Sequence, residues 1–208
     1  MEILSVDRVG GIVLCGGQST RMGRPKLSLP FGDETMLSRV VRIIGEVVSP
    51  VVVVASVGQD LPPLPPEIIV ARDTLEEQGP LAGLAAGFAA LGGRANAAYV
   101  SSCDVPLLKV EFVRAMIDAL GTHEMAIPCE EAYYHPLAGV YRTTLELRAL
   151  KLLAAGNRRP QDLVRASDAR LVDVADLRGV DAELDSLRNA NTPADYEQAL
   201  RAARIGPQ

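Results

Sequence analysis

The chain has 208 residues, 48% apolar and 23% charged, with a formal net charge of −5. Its length predicts one domain whose core needs no disulfide, and its acidic balance argues against a nucleic-acid-coating protein. Two histidines are too few for a His-rich zinc site. The longest apolar stretch, residues 47–56, is broken by Ser49 and Pro50, so no membrane span is expected. The first eleven residues have no basic start of the kind a secretory leader carries, and the expected location is the cytoplasm.

Residues 11–14 read as a short apolar strand that ends at Cys15-Gly16-Gly17. Apolar positions at helical spacing predict a helix over 35–48, and the β-branched run 51–55 predicts a strand buried on both faces. The proline-rich stretch 61–67 reads as an extended connector, followed by a strand at 68–71. An Ala/Gly-rich helix is expected over 80–91, a strand over 97–102, a helix over 110–120 and a strand over 125–129. Beyond Ala138 the pattern loosens, with a strand at 137–141 and a helix at 144–155. Thr192 before Pro193 signals the start of a last helix. Alternating strands and helices predict crossover connections and a mostly parallel sheet between helical layers, an α/β sandwich. Ligands of such sheets bind beyond the carboxyl ends of the strands.

The stretch IVLCGGQSTRMGRPKL at 12–27 carries the most chemistry. Gly16 and Gly17 let the backbone bend and offer N–H groups to an anion, while Arg21 and Lys26 add a guanidinium fork and a point charge. The spacing matches neither GxxxxGK[ST] nor GxGxxG, which points away from P-loop hydrolysis and hydride transfer. Asp104, just beyond a buried strand in SSCDVP, is a candidate Mg²⁺ ligand, because one carboxylate suffices when phosphate and water supply the other oxygens. Gly79-Pro80-Leu81-Ala82-Gly83 is a tight turn into a helix, serving either helix–sheet packing or close approach to a nucleoside, with Asp73 a polar contact nearby. Asn189 and Asn191 precede the last helix and either cap it or reach into the site. Asn157, Arg158 and Arg159 form a loop suited to a second phosphate-bearing substrate or simply exposed, and His135 either lines the same cleft or is structural. The cysteines Cys15, Cys103 and Cys129 form no CxxC pair and read as buried reduced thiols.

Together, LCGGQSTRMGRPK at 14–26, RDTLEEQGPLAG at 72–83 and SSCDVP at 101–106 resemble the molybdenum cofactor guanylyltransferases, joined by HPLAGVYR at 135–142, GNRRPQDLV at 156–164 and NANTPADY at 189–196. The resemblance implies a Rossmann-like three-layer α/β/α sandwich that moves GMP from GTP to the phosphate of molybdopterin, with Mg²⁺ and loss of pyrophosphate. It implies one nucleotidyltransferase domain, with a nucleotide-binding part at about 9–107 and an acceptor-binding part at about 108–205. By position, Leu14, Cys15 and Gly16 would contact the guanine nucleotide through backbone atoms, alongside Gly17 and the turn residues Gly79, Pro80, Leu81 and Gly83. Lys26 would hold phosphates, Asp73 would contact the nucleoside, and Asp104 would bind both GTP and metal; Arg21, Lys26 and Asp104 are the expected catalytic set. His135, Asn157, Arg158, Arg159, Asn189 and Asn191 are the expected acceptor contacts. Transient contact with cofactor-insertion proteins or acceptor molybdoenzymes follows from the same resemblance. Two departures stand out: the family has an asparagine after its second strand where this chain reads Val54-Ala55-Ser56, and Cys15 stands where the family usually has alanine. A cytidylyltransferase acting on the same cofactor is the nearest alternative, and a nucleotide-binding accessory protein without turnover is another.

Overall fold

A computed structural model describes residues 8–15, 26–73 and 79–206. Its main sheet contains β1 (Val9–Leu14), β4 (Val51–Ser56), β5 (Ile69–Asp73), β6 (Ala97–Ser102), β7 (Met125–Glu130), β9 (Val140–Arg142) and β10 (Ala169–Asp173), in the order β10-β7-β9-β6-β1-β4-β5. The short strand β8 (Tyr133–Tyr134) pairs with β7. Strands β6, β1, β4 and β5 run parallel, as do β7 and β10, whereas β9 runs antiparallel to both its neighbours. A separate hairpin joins β2 (Pro30–Phe31) to β3 (Glu34–Thr35).

Helices α1 (Met36–Gly45) and α3 (Val110–Ala119) cover one face of the sheet; α2 (Pro80–Leu91), α4 (Glu146–Ala154) and α5 (Pro160–Arg165) cover the other. Strand β1 explains how closely these layers sit. A Cβ on Gly11 would lie 2.5 Å from Ile44 of α1, and one on Gly10 would lie 2.8 Å from Leu91 of α2. Two adjacent glycines thus admit a helix on each side of the same strand. Thr35 starts α1 by accepting a hydrogen bond from the N–H of Ser38 (3.1 Å), and the helix buries Leu37, Val40 and Ile44 on its sheet-facing side. Helix α2 begins with Pro80 in its first turn, as expected, and ends at left-handed Gly92. The expected three-layer sandwich is present.

The chain departs from the expected pattern beyond β7. Pro136 fixes its own φ and lacks an N–H, so residues 136–138 form a 3₁₀ turn and the strand begins only at Val140. The buried Tyr141 hydroxyl donates to the Pro136 carbonyl (2.6 Å) and locks that turn. Helix α6 (Val174–Leu177) follows β10. The last helix, α7 (Pro193–Ala202), packs Ala199 and Leu200 against Phe31 and Met36 around the hairpin. This contact brings the chain's C-terminal part to the segment that follows Lys26.

An ion pair anchors the segment leading to α7. The side chain of Asp181 is fully buried; its oxygens accept from Lys109 Nζ (2.6 Å) and from the N–H of Ser186 (2.8 Å), while Ser186 Oγ accepts from the N–H of Lys109 (3.1 Å). Burial alone would push the carboxyl's pKa up, but the hydrogen bonds outweigh it and hold Asp181 below the usual carboxylate range. Its contribution to stability is therefore full above the ordinary aspartate value of about 3.9 and is lost as pH falls through the lower native value. Asp181→Asn should cost about 1–2 kcal/mol near pH 7, because a charged hydrogen bond goes while Lys109 keeps access to water. Urea unfolding at neutral and acidic pH tests this, and the deficit should shrink only below about pH 4.

Candidate active site

The parallel register places the carboxyl ends of four strands on one rim. Leu14 pairs with Val54 and Ser102, and Ser56 pairs with Asp73, so Cys15, Asp73 and Asp104 all emerge together. The N–H of Cys103 donates to the Leu14 carbonyl (3.1 Å), which turns Asp104 inward; the residue is only 9% exposed. Its Oδ1 accepts from Ser102 Oγ (2.7 Å) and Asn189 Nδ2 (2.6 Å). Its Oδ2 lies 3.3 Å from Lys26 Nζ, which also donates to Asn191 Oδ1 (2.6 Å). The carboxylate is thus held at one oxygen by neutral donors and faces a cation with the other.

Both asparagines arrive on one rigid segment. The N–H of Ala190 donates to the Asp104 carbonyl (2.8 Å), and Thr192 and Asp195 form a reciprocal capping box at the start of α7. Thr192 caps the helix, and the asparagines reach the site. Packing of α7 on the hairpin supplies the force that joins Lys26 to Asn191, since exposed polar pairs alone contribute little.

Asp73, Gly79, Pro80, Leu81, Gly83 and Arg158 meet at the start of α2. A Cβ at Gly83 would lie 3.9 Å from Asp73 Oδ2, so the helix's first turn closes on that carboxylate. Gly79 has φ +73°, and a Cβ there would be 2.8 Å from the Arg158 carbonyl, to which the N–H of Leu81 donates (3.3 Å). Only glycine fits that conformation and that approach. Pro80 follows in the first helical turn. Asn157 and Arg158 turn back on α4: Asn157 Nδ2 donates to the Leu152 carbonyl (3.3 Å), and the Arg158 guanidinium donates to Leu153 (2.9 Å) and Asn157 (3.0 Å) carbonyls. Arg159 is exposed at the N-cap of α5.

A cleft of about 190 Å³ opens beside Asp104. Ser102 and Asn189 line it at the carboxylate end; Tyr133, Tyr134 and His135 form one wall, and Pro80, Pro160 and Gln161 another. Asn157, Arg158 and Arg159 are not among its lining residues. The rings of Tyr133 and His135 meet edge to face, with centroids 4.8 Å apart. Burial lowers the pKa of the His135 imidazole below its ordinary value, which favours the neutral form near pH 7. Cys15 and Cys103 are buried as expected, whereas Cys129 is half-buried; hydrogen bonding to Cys15, together with burial, pushes the Cys103 thiol well up.

The sequence reading did not single out Ser102, Tyr133, Gln161 or Gln59. Gln59 Nε2 donates to the Cys15 carbonyl (2.9 Å) at the exit of β1. For Tyr133 the sequence held a signal, the doublet Tyr133-Tyr134 immediately before His135-Pro136.

The family model for the MobA-like NTP transferase domain matches residues 11–172, a span that takes in Lys26, Asp73 and Asp104. The chain belongs to this family. It is a nucleotidyltransferase. The nucleotidyltransferase is 37% identical over 210 residues to a probable molybdenum cofactor guanylyltransferase of Mycobacterium tuberculosis H37Rv, covering 98% of this chain and all of the relative. Among solved structures it is similar to molybdopterin-guanine dinucleotide biosynthesis protein A from Archaeoglobus fulgidus, with TM-score 0.76, 21% identity and coverage of 94% and 98% of the two chains. It also shares its fold with Rv0371C of M. tuberculosis H37Rv, solved with manganese, at TM-score 0.60, 16% identity and coverage of 94% and 99%. Gly16, Gly17 and Arg21 of the nucleotidyltransferase lie outside the described residues. None of its described helices is long and apolar enough to cross a membrane.

Proposed function

We propose that the enzyme transfers GMP from GTP to the phosphate of molybdopterin, forming molybdopterin guanine dinucleotide and releasing pyrophosphate. The observation that carries this reading is the pairing of Lys26 with Asp104, whose other oxygen is held by Ser102 and Asn189, two residues that line the cleft. The names of the full-length relative and of the structural neighbour support the choice of acceptor and base.

Asp104 fits a hard divalent cation such as Mg²⁺. Ser102 and Asn189 occupy Oδ1, so Oδ2 is the oxygen turned toward cationic partners. One carboxylate is enough where triphosphate and water complete the ligand set. Bound Mg²⁺ would supply positive charge against the triphosphate oxygens.

The attacking group is already an anionic phosphate, so the protein has no proton to remove. The obstacle is repulsion between two polyanions. Lys26, with Arg21, neutralises charge on the transferring phosphoryl group and the leaving pyrophosphate. Leu14, Cys15, Gly16 and Gly17 take the nucleotide through their backbone, while Asp73, Gly79, Pro80, Leu81 and Gly83 border the nucleoside. His135, Asn189 and Asn191 face the acceptor, and Asn157, Arg158 and Arg159 at the α4–α5 junction are further candidates for its phosphate. In this reading residues 9–107 bind nucleotide and 108–205 bind the acceptor. The product passes in transient contacts to insertion proteins or to recipient molybdoenzymes in the cytoplasm.

Pyrophosphate release from GTP, CTP and ATP, each with Mg²⁺ and molybdopterin, tests the proposal. GTP should be strongly preferred. Preference for CTP would replace guanylyl with cytidylyl transfer, and nucleotide binding without release would make the protein an accessory factor.

A further inference from the structure

We infer that Gln59 is a positioning residue of the nucleotide half of the site, one that holds the Cys15 carbonyl in place where the chain leaves β1. This rests on the reading that the nucleotide binds at the strand-end rim.

Both ends of the Gln59 amide are used. Nε2 donates to the Cys15 carbonyl (2.9 Å), and Oε1 accepts from the N–H of Ser56 at the end of β4 (3.0 Å). The backbone of Gln59 is itself fixed: its N–H donates to the Ser56 carbonyl (3.2 Å) across a turn carrying Gly58 at φ +74°. The Arg72 guanidinium, from β5, donates to the carbonyls of Ser56 (3.1 Å) and Gln59 (2.7 Å). One network therefore joins the ends of β1, β4 and β5.

Cys15 is held at both of its polar backbone atoms, its N–H by the Val54 carbonyl (2.8 Å) and its carbonyl by Gln59. The two bonds fix the direction in which the Cys15 carbonyl points at the exit of β1. Without the amide, that carbonyl would turn to water. A site that recognises its ligand through backbone groups depends on that orientation, because a rotated peptide exchanges donor for acceptor. The side chain needs both a donor and an acceptor at this length. Glutamate keeps the acceptor for Ser56 and loses the donor to Cys15; leucine loses both.

The test compares Gln59→Glu and Gln59→Leu with the wild type, measuring nucleotide affinity by calorimetry, KM and kcat by pyrophosphate release, and melting temperature. Both variants should weaken nucleotide binding by about tenfold, the scale of one hydrogen bond, with KM rising far more than kcat falls and the melting temperature near wild type. A glutamate variant that binds like wild type would overturn the inference, since the Ser56 contact alone would then suffice. So would a loss of kcat and melting temperature in parallel with KM, which marks a merely structural role. The comparison uses whichever nucleotide the wild type binds most tightly. A wild type that prefers CTP thus overturns the guanine reading and still leaves the Gln59 result decisive.

Discussion

Asp104→Ala should lower turnover by about 10³-fold or more, the scale of removing a group that organises charge at the reacting phosphates. The carboxylate is the meeting point of the site: Ser102, Asn189 and Lys26 all bond to it, and the backbone of Ala190 holds its carbonyl. Asp104→Asn separates charge from shape. Asparagine keeps an acceptor for Ser102 and the size of the side chain, yet offers no anionic oxygen to Lys26 or a divalent ion. Its turnover should be nearly as low as that of the alanine variant. Steady-state rates across a Mg²⁺ titration, with far-UV circular dichroism as a folding control, check the pair. An asparagine variant with wild-type turnover and metal dependence would remove Asp104 as the metal ligand.

Lys26→Ala should reduce turnover by about 100-fold, the typical loss for one preorganised donor at a developing charge. Lys26 Nζ sits between Asn191 Oδ1 and Asp104 Oδ2, so its charge is placed before any substrate arrives. Lys26→Arg tests the geometry of that placement. The planar guanidinium carries the same charge but cannot act as a compact point donor to both oxygens, so only part of the activity should return. Single-turnover kinetics at saturating nucleotide are the measurement. A rate unchanged in the alanine variant would take Lys26 out of the mechanism.

The legible parts of the fold were those whose boundaries are written locally. Gly79-Pro80 opens α2, and the apolar run 51–55 is a strand because a parallel strand buried on both faces has no polar side. Asp104 stands out for a related reason, as a charged residue two positions beyond such a strand, whereas Lys26 stands out by its company with Gly16, Gly17 and Arg21 in sequence. What stayed hidden depends on distant partners. Ser102 meets Asn189 across 87 positions, and Gln59 meets Cys15 across 44, with nothing nearby in sequence to announce either contact. Edge strand β10 carries Arg170 and the exposed Leu171, so its pattern is not that of a buried strand. Helix α5 has six residues, too few to display a helical period. Asn157 and Arg158 illustrate the converse: residue type suggests an anion contact, whereas the structure bonds both to carbonyls at the end of α4.

The most direct measurement follows the label. GTP carrying ³²P at the α position, incubated with Mg²⁺ and molybdopterin, should pass its label to the pterin product, while γ-labelled GTP should release its label as pyrophosphate. Appearance of the γ label as inorganic phosphate or on the acceptor would contradict nucleotidyl transfer at Asp104 and Lys26.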